Sequence, residues 1–191
     1  NQQLKMWKDY PLAVGGKPLN SNVQPSQSWC HTEIFFRQWS FCGPWFTGYM
    51  GRTSCYLEVV ELAEPNSRLN FMHPKALEVA SLSYLTANYG HEVIDRDSGE
   101  MNYIAPLNWS VVTQLEIPTV QFDSENTIGS ADPERHVFIP ISRRHIAHFS
   151  FNTVQNASGT REEVDKKVDP APFKELVDNI VGSIRVTLSP E

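Results

Sequence analysis

Hydrophobic and polar positions alternate most plainly between Arg135 and Phe151. Val137, Ile139 and Ile141 alternate with Phe138, Pro140 and Ser142, a period of two that predicts a strand. After Arg143 and Arg144 the alternation resumes. Ala147, Phe149 and Phe151 fall on one face, and His148, Ser150 and Asn152 on the other, so the pair reads as a hairpin. From Phe173 the period lengthens. Phe173, Leu176, Val177, Ile180, Val181 and Ile184 form one apolar stripe of a helix that Asp169 caps and Pro170 opens. Two strands and a helix, each with one apolar face, must bury those faces against each other.

The same reading extends along the chain. Glu33 to Phe41 is apolar on both faces, Ile34 and Phe36 against Phe35, Trp39 and Phe41, which predicts a central strand. Its partner is Cys55 to Leu62. Pro74 to Tyr89 reads as a helix ended by Gly90, with Val79, Leu82, Leu85 and Tyr89 as its buried stripe. Short strands at Glu92 to Asp95 and Glu100 to Ile104 flank an Asp97-Ser98-Gly99 turn. Ser110 to Ile117 reads as an amphipathic strand with Val111, Thr113, Leu115 and Ile117 inward. The stretches 121–134 and 156–167 read as polar connectors. Residues 1–28, rich in Gln, Asn, Ser and Pro, read as an arm over a single domain spanning 29–191. The fold class predicted is α+β, a mainly antiparallel sheet with helices packed on it.

Composition narrows the partners. A chain of 191 residues buries a core without disulfides or a metal. A net charge of −6 and no basic run argue against nucleic acid. No apolar stretch reaches the length of a transmembrane helix, and no basic segment followed by an apolar core marks a signal peptide. Cys30, Cys42 and Cys55 have no C-x-x-C spacing and read as small hydrophobes, although Cys42 and Cys55 could face each other across a hairpin.

Candidate chemistry is sparse. His145 and His148 lie three apart on a strand and so point to opposite faces, which sets them against a shared metal. Asp95, Asp97 and Gly99 fit a turn better than a calcium loop. No G-x-S-x-G, P-loop, G-x-G-x-x-G or H-E-x-x-H motif occurs. Glu64, Asp123, Glu125, Asp132 and Glu134 read as solvated. No catalytic residue, cofactor or metal is therefore expected. Trp29, Trp39 and Trp109 read as core residues. Cys42 to Arg52 is different, because three glycines and a proline hold Trp45, Phe46, Tyr49 and Met50 in a loop. Those four residues are either a plug over the sheet or an anchor for a partner.

Two stretches together resemble a known family. Arg135-His-Val-Phe-Ile-Pro-Ile-Ser142 with His145-Ile-Ala-His-Phe-Ser-Phe151, and Phe173 to Ile184, resemble the C-terminal part of bacterial immunity proteins. Those proteins protect a cell against phospholipase and other effectors of the type VI secretion system. The resemblance covers about a third of the chain and is one of hydrophobic positions. It implies a non-enzymatic protein that binds one effector toxin and blocks its active site or lid, in the bacterial periplasm rather than the cytoplasm. An adaptor that loads an effector is the nearest alternative. A hydrolase with a Cys/His pair made by the fold, or a carbohydrate- or peptide-binding module built on Trp45, are readings of other classes.

Overall fold

The computed structural model describes residues 29–43, 48–64, 68–89, 103–113, 115–126 and 133–188. Among them are strands β1 (Trp29–Cys42), β2 (Tyr49–Leu62), β3 (Tyr103–Val111), β4 (Val120–Asn126), β5 (Glu134–Pro140) and β6 (His145–Gln155), and helices α1 (Pro74–Tyr89), α2 (Arg161–Lys167) and α3 (Ala171–Ser183). The strands form one sheet in the order β1-β2-β6-β5-β4-β3, with every neighbouring pair antiparallel. This is the α+β architecture expected from the pattern. The stretch 1–28, expected as an arm, and the strand expected at 92–95 lie outside the described residues.

Strand parity divides the core into two layers. On one face Val60, Phe122, Phe138 and Ile146 pack with Trp29, Phe71, Leu77, Tyr84 and Leu85, so α1 covers this side. On the other Cys55, Leu57, Val137, Ile139, Ala147 and Phe151 pack with Val177 and Val181 of α3. The closing helix follows the expected pattern, but the hairpin strands have two apolar faces rather than one: Phe138 and Ile146 join the α1 core, Val137, Ile139 and Ala147 the α3 core. Phe173, Val177 and Val181 are buried, while Leu176, Ile180 and Ile184 lie half-buried beside them. Asp169 accepts from the Ala171 N–H, one residue before the Pro170 cap.

Several expectations are corrected. β1 is the edge strand, not a central one. Its pairing skips Ile34 between Glu33 and Phe35, a β-bulge that turns both Ile34 and Phe35 towards the α3 core. Ile34 thus joins Phe35 and Trp39 on one face, and of the expected second face Phe36 alone is left. Helix α1 has the expected bounds but a rotated stripe. Leu77, Ala80, Ser81, Tyr84 and Leu85 are buried, Val79 is 69% exposed, and Leu82 is also exposed.

The strand expected over Ser110 to Ile117 ends at Val111, whose side chain is exposed, as is that of Thr113. Leu115 and Ile117 still reach the α3 core. The connector expected at 121–134 contains β4. The loop expected at 156–167 contains α2, closed at its start by a capping box of Thr160 and Glu163. Asp123 is buried rather than solvated, bonded to Arg135 at 3.0 Å and to the Asn108 amide at 2.8 Å. Arg135 also reaches Asp178 at 2.6 Å and so ties the sheet to α3.

Candidate functional site

The first β-hairpin presents the surface on which the predicted contact residues fall. Its loop is fixed at the base. Gly43 donates to the Gly48 carbonyl, and Asn156 bonds the Tyr49 and Met50 carbonyls through its side chain and backbone. Gly51 adopts φ +149°, and a Cβ there would collide with the Val154 carbonyl, so only glycine lets β2 lie this close to β6. Trp45 and Phe46 lie outside the described residues. Tyr49 and Met50, expected in the loop, belong to β2, where Tyr49 is exposed and Met50 half-buried.

Sequence reasoning missed two further members of this surface. Ordinary alternation puts Phe36 on the face opposite Phe35, where its ring meets that of its cross-strand partner Tyr56 at 4.6 Å. Phe36 is 45% exposed and Tyr56 43% exposed, so this pair is an uncovered part of the α1 face. Reading Ile34 and Phe36 as buried together on a central strand hid it.

Next to Tyr56 on the same face begins a buried polar row. Ser124 Oγ lies 2.8 Å from His136 Nε2, His136 Nδ1 lies 3.0 Å from His148 Nε2, and His148 Nδ1 lies 2.7 Å from Glu58 Oε1. Tyr84 also donates to Glu58 Oε1, at 2.5 Å. The residues come from β4, β5, β6, β2 and α1. With Glu58 accepting from His148, one direction of donation satisfies every atom of the row. Ser124 O–H donates to His136, His136 Nδ1–H to His148, and His148 Nδ1–H to Glu58.

Burial pushes the Glu58 carboxyl up, but the bonds from His148 and Tyr84, with the charges of His148 and His31, outweigh it and leave Glu58 below its ordinary value. Burial, with the neighbouring His148, holds His136 well below its own. Glu134, expected to be solvated, sits beside this row and accepts from Ser150 Oγ at 2.6 Å. Burial raises its carboxyl, and the Ser150 bond offsets that only in part.

A hydroxyl, imidazoles and a carboxylate in sequence are the parts of a nucleophilic site. Here Ser124 is 1% exposed and His136 0%, so substrate has no route to them. A cleft of about 290 Å³ lies on the opposite face, between β4, β5, β6 and the start of α3, lined by Arg135, Phe151, Gln155 and Phe173 among others. The row is a structural network across the sheet.

His145 and His148 do diverge, as strand parity requires. His145 bonds Ser142 at 2.8 Å and lies 3.2 Å from Glu61. The cysteines are free thiols. Cys42 pairs with Tyr49 and Cys55 with Arg37, so the two do not face each other. Burial pushes the Cys55 thiol up to about 12, the wrong direction for a nucleophile. Among the described residues no group of three or more His, Cys, Asp or Glu is placed to hold a metal, and no helix is long and apolar enough to cross a membrane. No protein-family model, no curated protein and no solved structure matches the chain.

Proposed function

We propose that this chain is a non-enzymatic protein-binding domain of the immunity kind, which docks on a secreted bacterial effector and neutralises it. The observation that carries the reading is the uncovered Phe36–Tyr56 ring pair on the edge hairpin, with Tyr49 exposed at its loop. Large aromatic rings left in water cost free energy that a partner recovers, and such rings dominate the centres of protein interfaces. Support for an effector as the partner comes from the likeness of 135–151 and 173–184 to immunity proteins of type VI secretion. The burial of Ser124, His136 and His148 favours binding over hydrolysis. An adaptor that carries an effector would use the same surface.

The test is affinity capture from bacterial lysate with the wild-type chain and with a Phe36→Ser/Tyr56→Ser variant. Capture of one stoichiometric protein by the wild type, its loss with the variant, and suppression of that protein's toxicity by the wild type are expected. A partner retained equally by a folded variant, or no protein partner, overturns the reading.

A further inference from the structure

We propose that the uncovered face of the first hairpin seats an arginine side chain of the protein partner, between Glu33 and Glu58 and against the Phe36–Tyr56 rings. The inference rests on the docking reading above and adds the chemistry of the group that docks.

Three features of the face lead to it. Glu33 pairs directly with Glu58 across β1 and β2. Side chains so placed stand roughly 5 Å apart, and like charges there oppose each other unless a cation lies between them. The second feature is how Glu58 is used. Among the described residues its hydrogen bonds come from Tyr84 and His148 and fall on Oε1, and its side chain is 21% exposed. Its held ionisation therefore leaves an oxygen for a cation from outside.

The third feature is the bulge at Ile34. In a regular strand Glu33 and Phe36 would lie on opposite faces. The extra residue brings them to the same one, so two carboxylates adjoin two rings in contact, tilted at 37° to each other. His31, Gln38, Ser40 and Cys42 complete the exposed residues of β1 on this face, and Arg52 lies at its far end on β2.

Carboxylates beside aromatic faces select a cation with a planar, weakly hydrated head. Arginine suits this better than lysine, because its guanidinium forks onto carboxylates and stacks on rings. A chain of net charge −6 also attracts a basic partner over distance.

The test uses ¹⁵N-labelled protein titrated with the blocked tripeptide acetyl-Ala-Arg-Ala-amide and with its citrulline counterpart, which keeps the shape and lacks the charge. Shifts of the Glu33, Phe36, Tyr56 and Glu58 amides with the arginine peptide are expected. Glu33→Gln should weaken them about two- to fivefold, the range for one exposed charge. Equal shifts with citrulline, or none at these residues, overturn the proposal.

Partner capture separates this inference from the docking reading. If capture depends on Phe36 and Tyr56 but survives Glu33→Lys, docking stands and the arginine seat falls. If the arginine peptide binds here while no protein is captured, the cation seat stands and the protein-docking reading falls.

Discussion

A histidine sealed inside a sheet must be neutral and have both ring nitrogens satisfied, and His136 meets both conditions through Ser124 and His148. Its pKa is depressed below the ordinary 6.5, so the unfolded chain binds the proton more readily than the folded one. The resulting stability is present above about pH 6.5 and is lost as pH falls towards the folded value. Glu58, also depressed, adds a further loss below its ordinary 4.5. Glu134 is raised and works in the opposite sense, losing its contribution as pH rises through its folded value. The urea midpoint should therefore fall between about pH 7.5 and about pH 5.5, and a flat profile would show that the row takes up protons without loss. The row was partly legible, since strand parity separates His145 from His148. The same parity carried across the hairpin puts His136 and His148 on one face. Glu58 was not legible, because only the sheet order brings β2 beside β6.

Elements were legible where apolar residues alone decide the packing. The stripe of α3 held because Phe173, Val177 and Val181 are large and face one core. Phe173→Ala should cost about 3 to 5 kcal/mol as a core truncation, whereas Lys174→Ala on the exposed side should change stability by less than about 0.5 kcal/mol. Comparable shifts in urea melts would refute that orientation. The face of α1 was misread because small residues share it with Leu77, Tyr84 and Leu85. Ala80 and Ser81 lie buried there, and Ser81 satisfies its hydroxyl on the Leu77 carbonyl at 2.8 Å. Helix α2 carried a readable signal in Thr160 and Glu163, overlooked because the segment has one buried residue, Val164, and no stripe. Thr160→Ala should cost about 1 kcal/mol, measured by thermal melts, and a neutral result would mean the cap contributes nothing.

Across the whole molecule, stability comes from two apolar layers on one sheet, with polar networks bridging the strands. Chelation should leave the melting temperature unchanged, and a drop of several degrees in EDTA that zinc or calcium reverses would overturn this. Gly51→Ala should destabilise the fold by more than about 1 kcal/mol, because the clash with Val154 sits between adjacent strands. Urea denaturation is the measurement, and a wild-type midpoint would refute the close approach. The bulge at Ile34 also makes β1 tolerant of one particular loss. Glu33 pairs with Glu58 and Phe35 with Leu57, and Ile34 is the residue left over between them. Deleting Ile34 would leave Glu33 and Phe35 on the faces they already occupy, and Trp29 would stay packed against Phe71 and Tyr84. That single deletion should therefore be accepted, whereas losing a paired residue beyond Phe36 slips the register by one and turns side chains to the wrong face.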